Sequence, residues 1–209
     1  MFERELRTLS HVPRWAIVRT IQRQSVAEHS YYVAIYADQI AELIEWQGSR
    51  RNLMRLAMFH DMDEILSGDI ASPAKAVLNC AEYRTWSSKL MSGRFSYFEE
   101  WFQSEPGRVK EALTILHVAD WLEGVLFLCD EEFLGNKNVR DVRCHCEERL
   151  FEAIKLLPAT MEDVIKFNGL ISKSIFSHLA KCDALTVKHS KDDVKDYMQN
   201  SLFECEESE

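Results

Sequence analysis

The sequence predicts an all-α protein, a single helical domain over residues 1–190 with an acidic tail at 191–209. Three observations carry that reading. Apolar residues recur at spacings of three and four through most of the chain, as one face of a helix requires. Only 7 Gly and 4 Pro interrupt 209 residues, too few for a sandwich of short strands and tight turns. No stretch shows convincing alternation of apolar and polar residues.

The elements follow in order. Val26 to Trp46 places Val33, Ala37, Ile40 and Ile44 on one face, and Gly48 stops it. Arg51 to Leu66 reads as a second helix, with Leu53, Leu56, Ala57, Phe59 and His60 turned inward and Gly68 as its C-cap. Ser72-Pro73 breaks the chain. Asn79 to Gln103 is helical in pattern and rich in aromatics, with a break at Ser92-Gly93; its spacing suits packing or an oligomer interface. Pro106-Gly107 reads as a loop, Arg108 to Glu132 as a long apolar helix, Gly135-Asn136 as a turn, and Val139 to Leu157 as another helix. Thr160 before Glu162-Asp163 is an N-cap signal, and helix resumes to about Ala180. The acidic end, Glu204 to Glu209, is expected to be mobile.

Composition narrows the function classes. A hydrophobic share of 46% in 209 residues supports one sizeable core without staples. A net charge of −9 argues against a nucleic-acid-binding face, although a metal ion can invert the sign locally for a small phosphorylated substrate. The six cysteines (Cys80, Cys129, Cys144, Cys146, Cys182, Cys205) form no CxxC pair. With no signal peptide at the start and no apolar run of membrane length, they read as reduced thiols of a cytoplasmic protein. Cys144-His145-Cys146 has no second ligand pair at zinc-finger spacing, and neighbours on a helix point apart.

The polar residues standing on apolar faces are the informative ones. Phe59 to Asp69 sets His60, Asp61, Asp63, Glu64 and Asp69 at the end of an apolar run. Burying such groups without compensation costs on the order of several kcal/mol each, and a divalent cation compensates several at once; the alternative is a solvated acidic turn. Glu64 falls over the surface of His60 and Asp61 at i+4 and i+3, Gly68 lets Asp69 fold back toward it, and Asp63 is expected to face solvent. His29, in Glu28-His29-Ser30, is a capping residue, a core residue or a ligand. Asp120 sits mid-way along the apolar stretch Leu113 to Leu128, either paired or a ligand. Together His29, His60, Asp61 and Asp120 form a two-imidazole, two-carboxylate set, whose donors suit Mn, Co, Zn or Fe better than Ca.

The order His, His-Asp, Asp resembles the metal signature of the HD-domain phosphohydrolases. Five blocks narrow the resemblance: Arg14-Trp15, Ser25 to Ser30, His60-Asp61-x-x-Glu64, Gly68-Asp69-Ile-x-Ser-Pro73-x-Lys75, and Ala119-Asp120. Over roughly residues 8 to 130 the chain is similar to the YfbR-like 5′-deoxynucleotidases and to the related phage dATP triphosphohydrolases. The resemblance implies His29, His60, Asp61 and Asp120 as ligands of one divalent metal. It implies Glu64 as the acid that orients water or passes a proton, and Asp69 as the one that helps hold water and substrate. Arg14 and Trp15 match residues around the phosphate and sugar. Ile17 either packs against a base edge or is a core isoleucine. His117 either faces the pocket or is a packed helix histidine. Lys75 either supports the phosphate or is a plain surface lysine.

The function so implied is hydrolysis of 2′-deoxynucleotides, first of a deoxynucleoside 5′-monophosphate, with release of triphosphate from dATP as the alternative. A non-catalytic nucleotide-binding HD module is the reading from another class. The partners implied are a small deoxynucleotide and a second copy of the chain, as a dimer or larger ring, with no nucleic acid and no membrane.

Overall fold

The computed structural model describes residues 4–71, 74 and 96–186. A 3-10 turn, Arg4–His11, precedes α1 (Val26–Leu43), α2 (Arg50–Phe59) and the single turn α3 (Glu64–Ser67). After residue 95 come α4 (Ser96–Ser104), α5 (Pro106–Phe133), a short 3-10 turn (Lys137–Val139), α6 (Arg140–Ile154) and α7 (Met161–Thr186). No strand occurs among the described residues, apart from one isolated antiparallel bridge between Pro13 and Ser25.

Helix α1 begins at Ser25 because the local sequence closes a capping box. The Glu28 N–H donates to Ser25 Oγ at 3.2 Å, and the Ser25 N–H donates back to Glu28 Oε2 at 2.7 Å. Its buried face carries Val33, Ala37, Ile40 and Ala41. Helix α5 is the axis of the bundle, packing against α1, α6 and α7, while α1 in turn packs against α2. Its inward residues Ile115, Val118, Ala119, Val125 and Leu128 are fully buried. Thr160 and Asp163 form the N-cap of α7, with the Asp163 N–H donating to Thr160 Oγ1 and Thr160 Oγ1–H to Asp163 Oδ2.

Several expectations change. The helix expected over Arg51 to Leu66 stops at Phe59, and residues 60–63 form a tight turn. Met62 N donates to Phe59 O, Glu64 N to Asp61 O and Ile65 N to Met62 O, all three residues apart. Asp63, expected to face solvent, is only 7% exposed at the start of α3, because this turn rolls it inward. Pro106 opens α5 rather than a loop: proline suits a first helical position, where the N–H has no intrahelical partner. Contrary to the sequence reading, α5 also contains an 18-residue window apolar enough to cross a membrane, with mean hydropathy 1.6. Yet 67% of that window is buried inside the bundle, so the apolar surface is spent on the core.

Of the aromatic segment, Trp101 is buried in the core and Phe102 is partly exposed; the rest of it up to residue 95, and the tail 191–209, lie outside the described residues. In α6 the helix turns Cys144 to solvent and Cys146 into the core.

Candidate metal centre and its surround

Four residues from three elements converge. His29 lies on the buried face of α1, His60 caps the end of α2, Asp61 begins the turn after it, and Asp120 stands mid-way along α5. One ligand atom each from His29, His60 and Asp120 lies within 4.8 Å of the others. His29 Nε2 is 3.1 Å from Asp120 Oδ1 and 3.7 Å from Asp61 Oδ2, and His60 Nε2 is 3.2 Å from Asp61 Oδ2. The two imidazole centroids are 5.3 Å apart.

The outer ring nitrogens are already engaged. His60 Nδ1 meets Ala57 O at 2.7 Å, and His29 Nδ1 meets Glu123 Oε2. An N–H must stand at each Nδ1 to satisfy these acceptors, which leaves a lone pair on each Nε2. Both Nε2 atoms are buried and neither makes a hydrogen bond. Two buried lone pairs facing two carboxylates make a donor set that fits a divalent cation. The electrostatics agree. The same two carboxylates favour positive charge at Nε2, as a proton or as a cation in its place: burial disfavours a charged His60, yet Asp61 and Asp120 outweigh it and raise its pKa to about 9. Positive charge is thus favoured at this point, and N/O donors of this kind suit Mn, Co, Zn or Fe.

The surround is built largely by the loop 12–26. Its base is pinched shut by two backbone bonds, Arg14 N to Gln24 O at 2.8 Å and Val26 N to Val12 O at 2.9 Å. Trp15 has φ of 62°, the left-handed region, which is uncommon for a bulky residue. Three contacts keep it there. Its N–H donates to Asp69 Oδ2 at 3.0 Å, its ring stacks on Phe127 with centroids 5.6 Å apart, and its Nε1–H donates to Gln24 Oε1 at 3.0 Å. Arg14 lies beside it, Cζ 5.4 Å from the ring centroid, and points Nη1 toward Glu123 Oε2 at 3.5 Å.

Glu64 is buried at the first turn of α3. Asp69 is brought to the Trp15 backbone. Ile17 is 70% exposed on the loop and is therefore not a core isoleucine. His117 is exposed on α5, where its Nε2 accepts from Trp121 Nε1 at 3.1 Å; it is not packed within the bundle. Lys75 lies outside the described residues.

Three residues central to this arrangement were not found from the sequence. Glu123 is 3% exposed, and burial pushes its carboxyl up to about 7, against the pull of Arg14 and of the bond from Gln24. Gln24 is buried beside it. Glu131, fully buried, accepts from the Ile21 and Gln22 N–H groups at 2.6 and 2.7 Å and from Asn136 Nδ2 at 2.7 Å, while Asn136 Nδ2 also reaches Arg19 O. The available signal was position: both glutamates lie on the same apolar helix as Asp120.

A helical bundle whose central helix and two neighbours deliver a His, His-Asp, Asp cluster has the architecture of the HD domain. Solved structures bear out the fold. The HD phosphohydrolase DatZ of cyanophage S-2L, bound to dA and one catalytic Zn2+ ion, superposes with a TM-score of 0.60 at 22% identity, over 85% of this chain and 98% of that one. An HD-domain phosphohydrolase of Listeria innocua gives 0.57 at 23% identity, over 87% and 92%. The family described as 5′-deoxynucleotidase YfbR-like matches residues 1–174, and the chain belongs to that family. It is 28% identical over 162 residues to the 5′-deoxynucleotidase YfbR of Salmonella typhi, covering 71% of this chain and 81% of the relative. Against the 5′-deoxynucleotidase of Klebsiella pneumoniae strain 342 the identity is 33% over 78 residues, and the match spans 35% of this chain and only 39% of the relative.

Proposed function

We propose that this protein is a metal-dependent phosphohydrolase that converts a 2′-deoxynucleoside 5′-monophosphate to deoxynucleoside and phosphate. The observation that carries the reading is the pair of buried, unbonded imidazole Nε2 atoms facing Asp61 and Asp120. It is supported by family membership and by the metal and dA held in the cyanophage neighbour.

His29, His60, Asp61 and Asp120 would hold one divalent ion. When bound, such an ion would supply Lewis-acid chemistry, making water more acidic and offsetting phosphate charge. The chain's own residues then do the rest. Arg14 offers a planar guanidinium to the phosphate oxygens. The Trp15 ring, fixed against Phe127, forms a wall for the sugar. Glu64 moves the proton of the attacking water, and Asp69 fixes the Trp15 backbone with one oxygen and steadies the water with its other. Exposed Ile17 would meet a base edge, and His117 and Lys75 would add phosphate contacts. The reaction is assigned to the cytoplasm, to a homo-oligomer of dimer size or larger, and to a free nucleotide rather than nucleic acid or membrane.

Release of triphosphate from dATP is the second reading; dA, as in the cyanophage structure, would be the nucleoside product of either reaction. A panel of deoxy- and ribonucleoside mono- and triphosphates with Mn, Co, Zn and Mg tests both. The expected product is inorganic phosphate from deoxynucleoside monophosphates. Triphosphate released from dATP would replace the first reading by the second. A metal-loaded protein that cleaves none of them would leave a nucleotide-binding module.

A further inference from the structure

One carboxylate touches both halves of the site. Glu123 stands on α5 one turn beyond Asp120, and its Oε2 accepts the His29 Nδ1–H. The same oxygen faces Arg14 Nη1 at 3.5 Å, and Oε1 accepts from Gln24 Nε2 at 2.6 Å. Gln24 passes the contact on, since its Oε1 accepts from Trp15 Nε1 at 3.0 Å. As a carboxylate, the form that Arg14 and the Gln24 bond favour against its burial, it accepts from every partner, so each presents a donor to it. That requirement places the His29 proton on Nδ1 and turns the Nε2 lone pair toward Asp61 and Asp120. It also fixes which way the Gln24 amide points, because its NH2 is committed to Glu123 and only its oxygen remains for Trp15. Arg14 and His29 share the buried charge, so neither can swing away without leaving that charge uncompensated.

We propose that Glu123 is a positioning residue that couples the metal half of the site to its substrate half, setting His29 as a metal ligand directly and orienting Arg14 and Trp15 through one shared carboxylate. The inference rests on the functional reading above for the role of Arg14 and Trp15. Its metal arm stands independently, because ion binding is measured without substrate. Gln24 carries the Trp15 arm and steadies Glu123 through Oε1, whereas Glu123 Oε2 serves His29 and Arg14 directly.

Two variants of the full chain separate the arms. Co2+ affinity is measured by chelator competition and by the visible absorption of the bound ion, with no nucleotide present; Kd for a deoxynucleoside monophosphate is measured on the Co2+-loaded protein. Glu123→Gln keeps the shape but presents an amide to His29 and Arg14. It is expected to weaken Co2+ binding about 10–100-fold and also to weaken the nucleotide. Gln24→Ala leaves both Oε2 contacts in place and is expected to weaken Co2+ binding by less than about 10-fold while weakening the nucleotide several-fold. Wild-type Co2+ affinity in Glu123→Gln, or wild-type nucleotide affinity in Gln24→Ala, overturns the proposal. Should Glu123→Gln not fold, the Gln24→Ala pair of measurements decides on its own, since a loss of Co2+ affinity of about 10-fold or more there would contradict the two-arm arrangement. If wild-type protein binds Co2+ and hydrolyses no deoxynucleotide, the functional reading fails while the Glu123 result on Co2+ still stands.

Discussion

Trp15 shows how a single unfavourable backbone conformation is held in place. A left-handed φ costs roughly 1–2 kcal/mol for a residue with a Cβ, and the tryptophan offsets it by stacking on Phe127 and donating its N–H to Asp69. A stacked aromatic pair adds about 0.5–1.5 kcal/mol beyond the area it buries. Trp15→Ala loses the stack and keeps the strain, whereas Trp15→Gly loses both. Thermal unfolding is therefore expected to place Trp15→Gly above Trp15→Ala by about 1 kcal/mol, or about 2–4 °C in a protein of this size. The reverse order would show that the left-handed conformation is not strained. The metal-ligand candidates were legible because each interrupts an apolar pattern. Glu123, Gln24 and Glu131 were not, since a glutamate on a helix and a glutamine in a polar loop are ordinarily solvated, and only the docking of the loop 12–26 against α5 buries them.

At the scale of elements, the caps and anchors carry predictions that do not depend on the chemistry. Ser25→Ala opens the capping box of α1 and is expected to cost about 1 kcal/mol, read as a lower Tm. In α5 a Cβ added at Gly124 meets the Trp15 ring at 3.6 Å, an ordinary contact. Gly124→Ala is thus expected to raise stability by about 0.5–1 kcal/mol through helix propensity, and a loss in chemical denaturation would show that the ring needs the gap. Glu111 ties α5 to Trp46, accepting from Trp46 Nε1 at 2.8 Å and from Arg108 Nη1 at 2.8 Å. The Arg108 bond, then the Trp46 bond, holds its carboxyl below the ordinary value of 4.5. A depressed acid stabilises above its unfolded pKa and loses that contribution as pH falls through its folded one. Trp46 emission should accordingly change on acidification below about pH 4.5, and Glu111→Gln should abolish that step. Helices α1 and α5 were readable from spacing alone. The turn at 60–63 was not, because Phe59 to Leu66 keeps a helical period and contains neither glycine nor proline; what breaks the helix there is tertiary, the seating of His60 and Asp61 opposite His29 and Asp120.

For the whole molecule, the cluster joins α1, the end of α2 and α5, so an ion bound there ties together three elements that unfold apart. Ion binding to the native state alone stabilises by about 2.7 kcal/mol at a concentration 100 times Kd, which corresponds to a rise in Tm of about 5–10 °C. Mn2+, Co2+ or Zn2+ is expected to produce that rise, a chelator to reverse it, and Asp120→Asn to abolish it. No shift with any of the three would remove the metal centre from the account. The all-α architecture was legible because it follows from periodicity over long stretches. The long apolar helix at α5 was equally legible, but its place at the centre of the bundle was not, and its membrane-like hydropathy shows how little separates a core helix from a spanning one until its neighbours are known.

Along α5, Asp120, Gly124, Phe127 and Glu131 follow one another at steps of four, three and four, which is one stripe of the helix. The stripe acts as a ruler: the metal end, the tryptophan seat and the loop tip are registered on a single rigid rod, and inserting one residue between Gly124 and Phe127 would turn everything beyond it by about 100°. Among the described residues the tip of the loop is fastened through main-chain groups, the N–H of Ile21 and Gln22 and the carbonyl of Arg19. Such fastenings are blind to which side chains the loop carries. Apart from Val18, which packs against the core, the side chains from Ala16 to Gln22 are thereby released from the duty of holding the fold. The loop is a cassette whose text can be rewritten while its clasp on α5 stays as it is.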